Sequence, residues 1–306
     1  MHQELEQVVT EVKKVVHGKD LVIEKLVAAI LAGGHILLED IPGVGKTTLA
    51  MALGRSMELE YRRMQFTPDV LPSDIVGFTM YNSKEDQFEY RKGAVFCNLF
   101  LADELNRTSA KTQSALLEVM EEARTTVDGV TYPMPEPFTV IATQNPFGSS
   151  GTQMLPESQL DRFLICMSMG YPEHEAALDI LRGSTKGSLS RVQSVLSRER
   201  LLELRKQTEQ IYVADHLYEY LVDLTESTRK DGRVALGVSP RGSIALLKMA
   251  RAMAMLRGGD YMIPEDILNV VEDVWSHRIH LTPRAKTEGI RVADVIEDLT
   301  RQVKVV

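Results

Sequence analysis

The segment from His35 to Met57 places a glycine-rich turn between a short apolar run and a helical pattern. The run HILLED is followed by IPGVGKTTLAMALGRSM, in which Lys46 and Thr47 open the predicted helix. Such a turn lets successive backbone N–H groups point at a polyphosphate, and the helix N-terminus adds partial positive charge. Lys46 can reach the outer phosphates, and Thr47 can supply a ligand to Mg²⁺. The sequence therefore predicts a phosphate-binding loop at the end of a strand.

The loop departs from the general pattern G-x-x-x-x-G-K-[ST] at one position. The pattern has a glycine six residues before the lysine, where this chain has Asp40. The remaining positions fit the pattern and form the predicted phosphate-contacting set. This set is Pro42, Gly43, Val44, Gly45, Lys46, Thr47 and Thr48.

Two later apolar runs also end in polar residues. NLFLADELNR ends its run in Asp103 and Glu104, and FTVIATQNP ends in Asn145. Ligands bind at the carboxyl edge of an open α/β sheet, so we expect these side chains to lie near the phosphate loop. Asp103 is suited to hold Mg²⁺, and Glu104 is suited to polarise a water for in-line attack on a γ-phosphate. Asn145 can orient the same water without adding charge.

Apolar runs and helical patterns alternate up to about Met169, and the alternation then stops. HILLED, YRRMQF, NLFLADE, FTVIATQN and RFLICMSM predict a parallel sheet with helices on both faces. From Tyr171 onward the pattern is helical. The sequence therefore predicts a nucleotide-binding domain over residues 1–170 and an all-α lid domain over residues 171–306. Within the lid, DHLYEYLVDLTESTRK and PEDILNVVEDVWSHRI each predict one helix.

Charge and composition narrow the classes of partner. The chain has 35 Lys and Arg against 43 Asp and Glu, a net charge of −8, which argues against nucleic acid or an anionic membrane as the default partner. No leader pattern opens the sequence, and no apolar run approaches the ~18 residues that span a bilayer. A cytoplasmic protein is the expectation. Cys97 and Cys166 stand far apart, so we expect two buried side chains and neither a disulfide framework nor a zinc site.

Three arginines are candidates for a role beside the γ-phosphate. Arg107 closes the DELNR segment, Arg162 precedes the last predicted strand, and Arg241 opens a predicted lid helix. A guanidinium placed at the γ-phosphate raises the rate of phosphoryl transfer by about 10³–10⁵. Spacing in the sequence does not decide which of the three reaches it.

Five segments, taken in order, resemble the MoxR family of AAA+ ATPases, which are P-loop NTPases. They are EDIPGVGKTTLA, FLADELNRTSAKTQSALLEVMEE, VDGVTYPMPEPFTVIATQNP, LPESQLDRF and GVSPRGSIALLKMARA, and they span nearly the whole chain. GFTMYNSKEDQFEYRKG and VDGVTYPMPEP resemble the two β-hairpin insertions of the helix-2-insert clade. Asp40 is also similar to the family.

The resemblance implies a role for each site residue. Lys46 and Thr47 are similar to the Walker A pair, Asp103 and Glu104 to the Walker B pair, and Asn145 to sensor 1. Arg162 matches the arginine finger, which acts on ATP held by a neighbouring subunit. Arg241 matches sensor 2, which reports the nucleotide state from the lid and couples the two domains. Val16, His17 and Gly18 align with the adenine-contacting segment, where His17 either stacks beside the base or caps a turn.

The resemblance also implies a ring, usually a hexamer, that uses Mg²⁺ and ATP to remodel or assemble a partner. Such partners often carry a von Willebrand A-type (VWA) domain or are metalloenzymes, and the hairpins would face the pore or the client. Two alternatives stay open: a slow-turnover regulatory scaffold and a DNA-acting motor. The first hairpin balances its acidic and basic residues and VDGVTYPMPEP has no Lys or Arg, which disfavours DNA. The presence of Glu104 and Arg162 disfavours the scaffold.

Overall fold

The computed structural model describes residues 1–41, 43–145, 154–182 and 188–305. The strands are β1 Ile36–Glu39, β2 Tyr61–Gln65, β3 Gly77–Asn82, β4 Gln87–Lys92, β5 Leu99–Asp103, β6 Arg124–Val127, β7 Val130–Pro133, β8 Thr139–Gln144, β9 Ile165–Met167, β10 Val234–Leu236 and β11 His280–Leu281. The α-helices are α1 Gln3–Lys13, α2 Asp20–Leu31, α3 Lys46–Ser56, α4 Pro72–Val76, α5 Ala110–Glu122, α6 Glu157–Leu160, α7 His174–Leu181, α8 Arg198–Glu209, α9 Asp215–Lys230, α10 Pro240–Arg257, α11 Pro264–Leu268, α12 Val271–Trp275, α13 Pro283–Thr287 and α14 Val292–Gln302. Two 3₁₀ turns cover Leu105–Arg107 and Ser188–Arg191.

The central sheet has five parallel strands in the order β2-β5-β8-β1-β9. Each of them lies within one of the five predicted apolar runs, so the predicted parallel sheet is confirmed. Strands β5 and β8 are buried along their whole length, as expected for strands covered on both faces. Because the strands are parallel, β1, β5 and β8 all end at one edge of the sheet. We call this the carboxyl edge and the opposite one the amino edge.

Alternate side chains of the strands enter two different hydrophobic cores. In β1, Ile36 and Leu38 join a core with the N-terminal helices and the lid, whereas Leu37 joins a core beneath α5. In β5, Leu101 and Phe100 divide in the same way, as the period of two in a strand requires. The first core is continuous from the sheet through α1 and α2 to α10 of the lid, so lid and sheet share apolar packing.

Two β-hairpins project from the domain where the sequence resembles the clade's insertions. Strands β3 and β4 pair antiparallel, as do β6 and β7. The ring of Tyr90 on β4 stacks on that of Tyr132 on β7, with the centroids 3.9 Å apart, so the two hairpins contact each other. Phe88 on the first hairpin is 75% exposed.

The lid is helical, with two differences from the prediction. The predicted all-α domain contains an antiparallel pair of short strands, β10 and β11. The helix predicted over PEDILNVVEDVWSHRI is broken into α11 and α12, because Val270 has a non-helical backbone, with φ −126° and ψ −8°. Ile267, Val270 and Trp275 are buried on both sides of the break, so the two short helices keep the apolar face that the pattern predicted. DHLYEYLVDLTESTRK forms α9 as predicted. Among the described helices, none has the length and apolarity needed to cross a membrane.

Candidate active site

Open space lies beside the backbone of the phosphate loop. Gly43 and Gly45 have positive φ angles of 89° and 97°, which L side chains rarely adopt. Within the described residues, a Cβ atom built on either glycine has no other atom within 4 Å, so the space beside both glycines is open. Val44, Thr47 and Thr48 are half-buried around it. Pro42, part of the predicted phosphate-contacting set, lies outside the described residues.

Lys46 stands at the start of α3 with its ammonium group turned back into the loop. Its Nζ donates hydrogen bonds to the carbonyl oxygen of Asp40 at 3.0 Å and to that of Ile41 at 3.4 Å. Burial lowers the pKa of Lys46 from its ordinary value, and nearby carboxylates oppose this shift. The opposing charges belong to Asp40, Asp103 and Glu104. The lysine and both strand-end carboxylates are therefore within electrostatic reach of one another.

Asp40 fixes the start of the loop to the segment after β9. Its carboxylate accepts hydrogen bonds from Ser168 Oγ at 2.6 Å, from the Met169 N–H at 2.7 Å and from the Gly170 N–H at 3.1 Å. Glycine has no side chain to make these bonds. The departure from the general loop pattern therefore serves to attach the loop to the chain that leads into the lid.

Asp103 is held by two side chains that the sequence analysis did not single out. Thr143 Oγ1 donates to its Oδ1 at 2.7 Å, and Arg63 Nη2 donates to its Oδ2 at 2.7 Å. Thr143 lies on β8, and Arg63 lies on β2, the two neighbours of β5. The alignment of parallel strand ends could have pointed to both residues, because each lies within two residues of the end of a strand that pairs with β5.

Glu104 leaves the strand in a left-handed conformation, with φ 56° and ψ 49°. A non-glycine residue there costs about 1–3 kcal/mol and is typical of functional positions. Its N–H donates to Thr143 Oγ1 at 2.8 Å, and its carboxylate accepts from Arg107 Nη1 at 2.5 Å. Arg107, whose role the sequence leaves open, is thus the direct partner of Glu104. The adjacent carboxylates have different surroundings because the backbone turns between them.

Asn145 also lies at the carboxyl edge, directly after β8. Its carbonyl oxygen accepts from Asn106 Nδ2 at 3.2 Å, which joins the β8 end to the turn after Glu104. The structure therefore brings together the phosphate loop, Asp103, Glu104 and Asn145 at one edge, as the strand ends predicted.

The segment Val16 to Gly18 lies near the same edge, beside the connection from β9 to the lid. A Cβ built on Gly18 lies 3.5 Å from the side chain of Glu173, and Lys19 Nζ donates to the Tyr171 carbonyl at 2.8 Å. Val16 is buried, whereas His17 is exposed. His17 has an open side chain that can contact a base, and its contact with one stays a prediction.

Arg162 and Arg241 form a second cluster with a shared carboxylate. Arg162 Nη2 lies 3.2 Å from Glu121 Oε2, and Arg241 Nη2 lies 2.5 Å from Glu121 Oε1. The hydrogen bond from Arg241, followed by the charges of both arginines, lowers the pKa of Glu121 below its ordinary value. The three residues line an open cavity of about 270 Å³ together with Lys248 and Arg278. Sequence patterns could not reveal Glu121, because its partners lie on two distant segments.

This arginine cluster is at the amino edge of the sheet. Arg162 precedes β9, and Glu121 lies at the end of α5, which runs back from the carboxyl edge. His35, just before β1, lines the same cavity. A four-residue strand at about 3.3 Å per residue separates the edges by more than 10 Å, before the loops are counted. The two arginines are therefore remote from the phosphate loop of their own chain.

The carboxyl edge fits a magnesium nucleotide in both shape and chemistry. The open concave loop supplies backbone N–H donors and a lysine for phosphate oxygens. The Thr47 hydroxyl and the Asp103 carboxylate are oxygen donors of the kind that Mg²⁺ prefers.

Comparisons with known proteins identify the family of the chain. Residues 35–165 match the ATPase family associated with various cellular activities (AAA), and residues 226–299 match the AAA lid domain. The uncharacterised protein YeaC of Bacillus subtilis is 47% identical over an alignment that covers 100% of this chain and 96% of YeaC. Chaperone MoxR1 of Mycobacterium tuberculosis is 39% identical over 98% of this chain and 81% of its own. A crystal structure of a candidate ATPase from Cytophaga hutchinsonii is 40% identical, has a TM-score of 0.93, and matches over 100% of this chain and 96% of its own.

A parallel sheet with a phosphate loop, strand-end carboxylates and a helical lid defines an AAA+ ATPase, an enzyme that hydrolyses ATP. Such enzymes share a fold and differ in what they act on. Within that class, this chain belongs to the MoxR family, to whose chaperone-named member it is similar over nearly its whole length.

Proposed function

We propose that this protein is a ring-forming remodelling or assembly factor in which each subunit completes the ATP site of its neighbour. One observation carries the proposal: the nucleotide-binding groups lie at the carboxyl edge, whereas Arg162 and Arg241 lie together at the amino edge. Within one chain, neither arginine can reach ATP held by the phosphate loop. In a ring, the amino edge of one subunit faces the carboxyl edge of the next, usually in a hexamer for proteins of this kind.

The carboxyl edge supplies binding and proton transfer. The N–H groups from Gly43 to Thr48 and the Lys46 ammonium bind the phosphates, and Val16, His17 and Gly18 contact the adenine. Glu104 accepts a proton from the attacking water, which Asn145 orients. Mg²⁺, held by Thr47 and Asp103, neutralises phosphate charge when it is bound.

The amino edge of the neighbour supplies positive charge. Arg162 and Arg241 carry two guanidinium groups toward one carboxylate, that of Glu121, so both can converge on one phosphate group as well. A guanidinium at the γ-phosphate contributes about 10³–10⁵ in rate. The sequence comparison led us to expect Arg241 to report from the lid. Its position beside Arg162 at the amino edge supports a different role, in which Arg241 responds to the nucleotide of the neighbouring subunit.

The hairpins are the proposed contact with a protein client. Phe78, Tyr81 and Phe88 are each at least 49% exposed on the first hairpin, an apolar surface suited to protein and not to a phosphate backbone. This favours remodelling over a DNA motor. The complete set of catalytic groups favours turnover over a passive scaffold. A VWA-domain or metalloenzyme partner and a cytoplasmic location stay predictions.

Mixing inactive variants tests the shared site. Arg162→Ala subunits keep a complete carboxyl edge, and Glu104→Gln subunits keep both arginines, so mixed rings should recover ATP hydrolysis. The pair Arg162→Ala with Arg241→Ala should not recover, because every amino edge in that mixture lacks one arginine. Hydrolysis is measured by phosphate release, with co-assembly checked by differential tags.

Each mixture has a result that contradicts the proposal. If co-assembled rings of Arg162→Ala and Glu104→Gln subunits do not recover hydrolysis, Arg162 does not act on the nucleotide of a neighbouring subunit. Recovery by Arg162→Ala with Arg241→Ala would show that Arg241 acts on nucleotide held by its own chain.

A further inference from the structure

Arg278 of the lid is buried against the segment that leads into β9. The residue follows α12 and is only 6% exposed. Its Nε donates to Asp161 Oδ1 at 2.7 Å, and its Nη2 donates to the carbonyl oxygens of Asp161 at 3.2 Å and Phe163 at 2.6 Å. Its Nη1 donates to the Leu164 carbonyl at 3.2 Å. One guanidinium therefore binds three of the four residues from Asp161 to Leu164, a segment outside the lid.

The segment that Arg278 binds is the one that carries Arg162. Asp161 and Phe163 are its immediate neighbours in the chain, and both are bonded through their backbone carbonyls. His277 reinforces the contact, because its Nε2 donates to the Phe163 carbonyl at 3.2 Å. Arg162 itself is left to extend into the cavity and bind Glu121. The backbone on both sides of Arg162 is thus attached to the lid.

The same cluster includes the start of α10, beside Arg241. Trp275 Nε1 donates to the Gly242 carbonyl at 3.1 Å. A Cβ built on Gly242 would lie 2.9 Å from Cδ of Arg278, so the helix backbone packs directly on the Arg278 side chain. Ser239 Oγ lies 3.4 Å from Asp161 Oδ2. Arg278 therefore contacts the backbone next to both arginines of the amino edge.

We propose that Arg278 is a positioning residue that fixes Arg162 relative to Arg241, so that the lid and both arginines move as one unit. The proposal rests on the proposed function, in which those arginines act on a neighbour's nucleotide. Five donor hydrogens in a planar fork can hold several carbonyls at once, which a lysine cannot do. A displacement of about 1 Å at a reacting group can cost about 100-fold in rate, so a loss of this attachment should be visible in turnover.

The test replaces Arg278 and asks whether nucleotide binding at the carboxyl edge or catalysis by the amino edge is lost. Arg278→Met keeps the apolar stem and removes the fork, and should lower kcat by about 10- to 100-fold while leaving nucleotide affinity unchanged. Arg278→Lys should recover only part of the loss. Asp161→Asn, a milder change at a partly exposed partner, should lower kcat by a smaller factor. Arg233→Met is the matched control, because Arg233 forms a lid ion-pair network with Asp231 and Asp298 away from the arginine cluster.

Complementation separates a positioning defect from a folding defect. Arg278→Met subunits mixed with Glu104→Gln subunits should recover hydrolysis, because the Arg278→Met subunit keeps its own carboxyl edge. Mixed with Arg162→Ala subunits they should not recover, since both variants fail at the amino edge. Nucleotide binding is measured with a fluorescent ATP analogue, and folding by thermal melting.

Three results would overturn the proposal. The first is wild-type kcat in folded Arg278→Met and Asp161→Asn variants. The second is failure of Arg278→Met to recover with Glu104→Gln in a preparation where Arg162→Ala does recover. The third is failure of Arg162→Ala to recover as well, and this result alone identifies the proposed function itself as the error.

Discussion

At the scale of single residues, the adjacent carboxylates of β5 show how position sets chemistry. Asp103 is held from two sides, by Thr143 and Arg63, so its carboxylate has a fixed orientation. Glu104 turns away through a left-handed backbone and forms an ion pair with the exposed side chain of Arg107. A carboxylate that must exchange a proton benefits from a partner that can move aside. We propose that these different surroundings give the two carboxylates different roles, Asp103 as a ligand to Mg²⁺ and Glu104 as the base.

A buried histidine makes stability depend on pH. His35 accepts from the Val140 N–H at Nδ1, 3.0 Å away, and Nε2 donates to the Met120 carbonyl at 2.8 Å, so the ring is neutral. Burial lowers the pKa of His35 to about 4, whereas the unfolded chain has an ordinary value near 6.5. Below about pH 6.5 the unfolded state binds the proton first. The stabilisation is therefore complete above about pH 6.5 and is lost as the pH falls toward about 4, by about 3 kcal/mol.

His35→Gln should weaken this dependence, since glutamine has no proton to gain in this range. We expect urea midpoints measured from pH 7.5 to pH 4.5 to fall less steeply for His35→Gln than for the wild type. His216→Gln, at an exposed position on α9, should keep the wild-type slope. Parallel slopes for His35→Gln and the wild type would contradict the assignment of His35 as a neutral core residue.

At the scale of elements, the hairpins depend on glycines with unequal surroundings. Gly77 opens β3 with φ 95°, and a Cβ there would lie 2.2 Å from the Arg91 carbonyl oxygen on β4. Gly129, in the turn of the second hairpin, has φ 80°, but a Cβ there meets nothing within 4 Å. The first position combines backbone strain with a clash against backbone, and the second has strain alone.

Replacing Gly77 and Gly129 in turn by alanine compares the same substitution in these two surroundings. Gly77→Ala should lower the free energy of unfolding by about 2–5 kcal/mol, from strain and overpacking together. Gly129→Ala should cost about 1–2 kcal/mol, from the left-handed backbone alone. Denaturant unfolding measures both, and equal losses would mean that the close approach of Gly77 to β4 is wrong.

Elements with a strong local pattern were predictable from the sequence. The five apolar runs became the five sheet strands, and the apolar stripe of DHLYEYLVDLTESTRK became α9. The helix over PEDILNVVEDVWSHRI was wrong as one element, because its apolar spacing is the same in one helix or two and does not signal the non-helical backbone at Val270. The small β10 and β11 pair was also missed, since strands of three and two residues leave no periodic signal.

At the scale of the whole molecule, the carboxyl edge was predictable and the amino edge was not. Asp103 ends a strand, and Lys46, Glu104 and Asn145 each come after one, and parallel strands end together. Arg162, Arg241 and Glu121 meet only because the lid docks beside the end of α5. Docking depends on a core shared by α2, α10 and the sheet, which no local pattern encodes.

Two contacts connect the phosphate loop to the lid through the segments that flank β9. Asp40 joins the phosphate loop to the segment after β9, and Arg278 joins the segment before β9 to the lid. A short strand, β9, therefore connects the two edges mechanically. In the proposed ring, a change at one phosphate loop would reach, through this connection, the arginines that serve the next subunit.

The most direct test of the shared site is ATP turnover per subunit as the protein is diluted, with the assembly state recorded by mass photometry on the same samples. If each subunit needs the arginines of a neighbour, turnover per subunit should fall with dilution in step with loss of the ring. Turnover per subunit that stays constant while the protein becomes monomeric would contradict the account.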